Sequence, residues 1–440
     1  MFVANLKIIE ELKQFICLVM NHPEIRAKFS ATGTDFTRRR KLTFNRMVLL
    51  IAKLCKKTLS VELESFFEEI NIKITCSVSA FTQQRMKLQP LFFRAWNDLL
   101  LLSYYYHYQQ KVKRWQGYRL IAADGSNVSL VNTPVLQAYF GGQSNQQCSF
   151  VQAKTFYWYD VLNELVVAAQ IQPYRTGELP MAYAHVDQVE KDMLMIYDRN
   201  FFNYKMMALH QWAKTEIKYV IRAKESQLVI RSFIESKASS AIVHLPPTSS
   251  ALDELPKSGY TIDKDTLLKV RLVRVDLGKS IEVIATNLWQ EEGHADSEFK
   301  ELYFKRWGIE TNIGLQKNIL QLESFSGLTV QSVQQDFFAT VFLNNLHSIL
   351  IKDAQQTIEN VETKRKHPIK INKNKSHGKL RSNLVELFLS KEPKVILRML
   401  HHHFIRDPVP IRKGRSFPRI IKNKQSKSKH KTFMNYKPAF

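Results

Sequence analysis

The chain has 440 residues, 45% of them hydrophobic and 11% aromatic, enough for two or three packed domains and too apolar for a chain that is disordered throughout. Its 64 lysines and arginines outnumber 40 acids, and the resulting formal charge of +24 points to a polyanion partner, either nucleic acid or an anionic membrane surface. No run of about 18 apolar residues appears, which argues against a membrane span. Four scattered cysteines without a C-x-x-C pair argue against a cysteine zinc site and fit a cytoplasmic protein with reduced thiols.

The N-terminus, MFVANLKIIEELKQFICLVM, carries Glu10 and Glu11 within its apolar periodicity and reads as an amphipathic helix, not a signal peptide. Helical spacing continues through NRMVLLIAKLCKKTLSVELESFFEEI and SAFTQQRMKLQPLFFRAWNDLLLLSYYY, with Ser79 as a candidate N-cap. Residues 1–112 are therefore expected to form a helical N-terminal domain, either a DNA-end-binding module or a plain helical bundle. After Gly117 the texture changes. YRLIAADG is a short apolar run ending at Asp124, and FVQAKTFYWYD and ELVVAAQIQPY read as paired strands. A helical stretch follows, then the strand MLMIYDRN ending at Asp198, the helix NYKMMALHQWAKT and the strand YVIRAK. This order predicts an α/β core with a mixed sheet over 113–224 and 288–330. Between its two parts, TLLKVRLVRVDLGKSIEVIATN alternates apolar with polar residues, and 225–287 reads as a β-rich insertion. Helices return from about Asp296. Residues 331–440 read as helical, then basic and loop-rich. From Val361 onward there are 22 lysines and arginines against 4 acids, a net of +18, and no acid follows Arg412. Binding through such a tail is expected to be steeply salt-dependent.

The stretch YFKRWGIETNIGLQK holds one acid among bases and aromatics. On a single helix over 303–317, at about 100° per residue, Tyr303, Arg306, Glu310 and Lys317 share one narrow face, while Leu302, Ile309, Ile313 and Leu320 form an apolar stripe beside it. Alone, that face reads equally as a solvated surface with an Arg306–Glu310 pair worth a few tenths of a kcal/mol. Asp124 and Asp198 change the weighting. Each closes an apolar run, where a buried strand meets a sheet edge and an acid either caps the next element or serves a site. Three carboxylates gathered together require a cation, and hard divalent ions prefer oxygen ligands. Glu178 opens a helix and reads as a first-turn acid favoured by the dipole. The triple His401-His402-His403 points in three directions on a helix and does not read as a metal site.

Tyr303, Arg306, Glu310 and Lys317 in this spacing resemble the signature of bacterial cut-and-paste insertion-sequence transposases of family four. Asp124 in AADGS and Asp198 in IYDRNFF match that family's two other acids, and ELYFKRW, NLWQ, GRSFPR and NYKPAF are similar to its members as well. One departure is Asn200, where relatives often have Gly. The resemblance implies a ribonuclease H-like fold with a β-rich insertion, and Asp124, Asp198 and Glu310 as catalytic, metal-binding residues. It implies two Mg²⁺ ions, for which Mn²⁺ substitutes. It further implies cleavage at terminal inverted repeats, joining of 3′-OH ends to target DNA, and a homodimer in the synaptic complex. By the same carry-over Tyr303, Arg306 and Lys317 contact phosphates, Arg222 and Lys224 add backbone contacts, and Trp289 stacks on a flipped base. Two other readings stand beside it: a metal-dependent nuclease of the same fold, and a non-catalytic DNA-binding relic.

Overall fold

The helical periodicity of the first hundred residues is realised as a series of helices that need a late partner to close their core. The computed structural model describes residues 2–38, 40–73, 75–144, 149–278, 280–360 and 367–412. The basic tail from residue 413, which includes GRSFPR after its first residues and NYKPAF at its end, lies outside the described residues. The chain divides into two units, one made of Met1–Lys111, Val128–Ala153 and Gln316–Phe440, the other of Val112–Asn127 and Lys154–Leu315. Among the described residues no helix is long and apolar enough to cross a membrane.

In the first unit, the helices Phe2–Asn21, Phe44–Ala52 and Leu91–His107 pack on the 31-residue helix Val330–Asn360, and Pro393–Arg406 packs on that helix and on Phe2–Asn21. Trp96 is fully buried, stacks on Phe342 at 3.8 Å and donates its indole N–H to the Leu12 carbonyl at 3.2 Å. Arg85, 2% exposed, is satisfied at Gln335 (2.6 Å), Ser326 (2.6 Å), the Ser332 carbonyl (2.9 Å) and Asp336 (2.6 Å). Burial of Asp336 would raise its carboxyl, but Arg85 and Lys56 more than offset this and hold it below the usual carboxylate range. The helix Val78–Arg85 is capped by Ser77, not Ser79: Ser77 has the extended backbone a cap requires, and its Oγ accepts from the Ala80 N–H at 3.1 Å.

The second unit is organised by a sheet. Its strands are β1 (Arg119–Ser129), β2 (Gly142–Ser144), β3 (Ser149–Asp160), β4 (Leu165–Pro173), β5 (Met193–Tyr197), β6 (Lys218–Arg222), β7 (Ser240–Leu245), β8 (Leu268–Asp276) and β9 (Ile281–Thr286). β2, with its ladder to the first residues of β3, belongs to the other unit. The order is β2-β3-β1-β5-β6-β9-β8-β7, with β4 on β3. β5 runs parallel to β1 and β6 parallel to β5, whereas β9, β8 and β7 add on in antiparallel fashion. The result is the mixed α/β sheet expected from the sequence, parallel across β1, β5 and β6 and antiparallel beyond them. The strands of segment 225–287 continue it beyond β6, and that segment also holds the short helices Leu228–Glu235 and Ser249–Glu254.

Strand alternation assigns the two faces of the sheet. Ile121, Ala123, Met195 and Tyr197 face one core, covered by residues of the helices Glu178–Tyr183, Tyr204–Gln211 and Leu228–Glu235. Leu120, Leu194, Ile196 and Val220 face the other, with Phe299, Leu302 and Tyr303 of the helix Phe299–Phe304 packed on them.

Four buried histidines are held neutral. In the first unit His347 and His377 stack at 3.4 Å; burial lowers both, His377 to about 3. In the second unit burial lowers His185 and His210 to about 4. The unfolded chain binds these protons near pH 6.5 while the folded chain refuses them, so stability is present at pH 7 and is lost as pH falls toward the folded values. Between pH 7 and pH 5 the urea midpoint is expected to fall, with a contribution of about 1–2 kcal/mol from each histidine. Replacing His377 with Phe should reduce that slope; an unchanged pH dependence would show that the pair is not the cause.

Candidate active site

The β1–β5 ladder pairs Arg119 with Met193 and Ala122 with Ile196. Carried two residues further, the same register sets Asp124 beside Asp198, and both share the face of Leu120, Leu194 and Ile196. The paired ladder itself stops at Ala122 and Ile196, so both acids follow just past its end, near enough for the charge of Asp198 to be felt at Asp124. Asp198 does end its strand, and its Oδ1 caps the turn Arg199–Phe201 by accepting from the Asn200 N–H at 2.8 Å. Asp124 does not: β1 runs on to Ser129, because the strand keeps β3 as a neighbour after it has left β5. Its Oδ1 accepts from the Gly125 N–H at 2.8 Å.

Glu310 arrives from the other side. The single helix expected over 303–317 is broken: Phe299–Phe304 ends, Lys305 and Arg306 form a turn, and Trp307–Asn318 begins. Through the turn the backbone bonds are of the i→i−3 kind, from Arg306 to Tyr303, Gly308 to Lys305 and Ile309 to Arg306. Tyr303 is buried against the sheet, and burial pushes its hydroxyl up to about 12. The turn delivers Arg306 between two acids. Its Nη2 donates to Glu310 Oε1 at 2.7 Å, and its Nη1 lies 3.7 Å from Asp124 Oδ2. Only 9% of the Arg306 side chain is exposed, so solvent screens these pairs poorly.

Burial raises the Asp124 carboxyl to about 6; its bond from Gly125 and the charge of Arg306 pull it down, while Asp198 and Glu178 push it up. Glu178 is thus part of this group, although its position in the sequence is fully explained by the start of a helix. It does open the helix Glu178–Tyr183, and its carboxylate also lies over Gly125, where any Cβ would strike it. It pairs with Lys154 Nζ at 3.3 Å and accepts from Asn200 Nδ2 at 3.5 Å. The available signals were a lysine inside the apolar strand FVQAKTFYWYD and an acid just past β4. Asn200 takes no left-handed backbone; it sits in the turn that Asp198 caps.

The remaining basic and aromatic candidates have other partners or positions. Arg222, at the end of β6, pairs with Glu282 at 2.8 Å. Lys224 follows that strand and is half-buried. Trp289 is half-buried with Lys269 Nζ 4.4 Å from its ring centre, which takes up one face. Lys317 lies in the last turn of its helix, past Leu315 where the unit ends.

Residues 115–346 match the family described as Transposase DDE domain, more than half of the chain. The chain belongs to this family of transposases. No curated protein matches it. A cryo-EM structure of the piggyBac transposase synaptic complex with hairpin DNA aligns over 96% of this chain and 90% of that one, at 10% identity and a TM-score of 0.42, a likeness too slight to argue from.

Transposases of this family generally use divalent metal ions. The donors here suit a hard ion: carboxylate oxygens, one of them on Asp124, whose anionic form is disfavoured by burial and by neighbouring acids. As they stand, no three His, Cys, Asp or Glu side chains among the described residues are grouped to hold an ion, and the guanidinium of Arg306 lies between Asp124 and Glu310.

These charges fix the direction in which Asp124 responds. Glu178→Gln is expected to bring its titration below about 6, and Arg306→Gln to lift it, as read from the Asp124 carboxyl carbon by NMR. Shifts of the opposite sign would contradict the arrangement.

Proposed function

We propose that this chain is a cut-and-paste DDE transposase of the bacterial insertion-sequence family four type. In the cytoplasm, it cleaves double-stranded DNA at the element's terminal inverted repeats and joins the 3′-OH ends to target DNA. The observation that supports this reading is Arg306 between Asp124 and Glu310, with Asp124 and Asp198 both just past the end of the β1–β5 ladder. Asp124, Asp198 and Glu310 are the residues that would hold two Mg²⁺ ions, or Mn²⁺ in their place. When bound, such ions activate the attacking oxygen and stabilise the leaving one.

The chain's own residues supply the rest. Tyr303, Arg306 and Lys317 contact phosphates beside the cut strand, Arg222 and Lys224 add backbone contacts, and Trp289 stacks on a flipped base. The tail from residue 413, with nine lysines and arginines and no acid, holds DNA by charge, and a homodimer brings two element ends together.

The test uses a plasmid carrying the element's ends with Mg²⁺. Asp124→Asn, Asp198→Asn and Glu310→Gln should each cut cleavage by about a thousandfold or more while end binding by gel shift persists. Cleavage that survives these substitutions would overturn the site. Joining of the cut ends to a second DNA separates a transposase from a nuclease, and binding without any cleavage would favour a relic. Removing residues 413–440 should weaken DNA binding and reduce the slope of log K against log salt by about 0.9 for each phosphate that the tail neutralises. A slope unchanged by the deletion would take the tail out of the interface.

A further inference from the structure

Arg306 is held in a way that a simple phosphate-binding arginine does not require. Its side chain is nine-tenths buried, one amino group bonds Glu310 at 2.7 Å, and the other stands 3.7 Å from Asp124. Its Nε is buried and has no hydrogen-bond partner among the described residues. A guanidinium in this state is engaged with two acids yet incompletely satisfied. Bidentate contact through Nε and one amino group is the geometry that a phosphate offers. The residue also sits in the turn between two helices, flanked by i→i−3 bonds, so its side chain can be re-aimed without unwinding either helix.

We propose that Arg306 is a positioning residue with two alternating partners: in the free protein its guanidinium is the resident counter-cation of Asp124 and Glu310, and on DNA binding it transfers to a backbone phosphate. Because a guanidinium and a divalent ion repel one another over the same two carboxylates, this exchange couples ion loading to DNA binding. The proposal rests on the reading of Asp124, Asp198 and Glu310 as the ion-binding acids. Its consequence is order: the acids are neutralised and aligned before DNA arrives, and become available to an ion only once a phosphate has drawn the arginine away.

The experiment measures Mn²⁺ affinity of the full chain by the EPR signal of the free ion, with and without a duplex of about 30 base pairs, long enough to cover a specific site. Without DNA, Arg306→Gln should bind Mn²⁺ about tenfold more tightly than the unmodified protein, and Arg306→Lys, which keeps the charge, should stay close to it. Adding the duplex should tighten Mn²⁺ binding by the unmodified protein and leave the Gln variant little changed. Equal or weaker Mn²⁺ binding by a folded Arg306→Gln overturns the proposal. If that variant does not fold, the unmodified protein decides alone: no gain of Mn²⁺ affinity on adding DNA overturns it. The underlying reading fails separately, by Asp124→Asn and Asp198→Asn binding Mn²⁺ as well as the unmodified protein does.

Discussion

The parallel ladder of β1 and β5, with Asp124 and Asp198 two residues past its last paired residues and the charge of Asp198 felt at Asp124, is the constraint to which the neighbourhood of these acids answers. The backbone register that sets them there is fixed by the apolar residues behind them, since a slip of one residue would turn Leu120, Leu194 and Ile196 out of their core. Like charges repel, and burial of Asp124 sharpens the repulsion. The neighbourhood is built accordingly. Backbone N–H groups bond one oxygen of each aspartate, Lys154 takes up Glu178, and Arg306 is driven between Asp124 and Glu310. The break in the helix after Phe304 belongs to the same solution. It lets Tyr303 remain against the sheet while Arg306 turns toward the acids.

Much of the fold could be read from the residues. The strands around Asp124 and Asp198, the helix Tyr204–Gln211 and the pair β8 and β9 follow from alternation and from the turn at Gly278, whose φ of +81° suits glycine. The misreadings have local causes. Ser77 and Ser79 are equivalent in composition, and only the backbone dihedrals separate the cap from the first turn. The helical wheel over 303–317 brings Arg306 and Glu310 together correctly, because a short run of i→i−3 bonds barely alters the rotation, but it does not register the break itself. Asp124 resembles a strand end because apolarity stops there, whereas the strand continues on its pairing with β3.

Glu178 shows the limit most clearly. Its place at a helix start gives a complete local explanation, and the lysine inside the apolar strand β3 is the faint sequence signal of a second role. Only the approach of its carboxylate to the backbone of Gly125 reveals that its charge reaches Asp124. Arg306 presents the converse case. The family resemblance assigns it to phosphate and the spacing predicts its pair with Glu310, but its second acid, Asp124, is 306 − 124 = 182 residues away in sequence and becomes visible only in three dimensions.

The way the units divide the chain has a consequence for its synthesis on the ribosome. The first 111 residues emerge early, yet Trp96 and Arg85 find Phe342 and Asp336 only when the helix Val330–Asn360 has been made, some 251 positions later for the Arg85 pair. At about 5–20 residues per second that is a wait on the order of 10–50 s. Meanwhile the residues of the second unit, which end at Leu315, have all been made before that helix emerges. Until then Trp96 lacks its stacking partner and Arg85 its carboxylate, so the opening helices wait with part of their core unfilled and are the segment with most need of a chaperone.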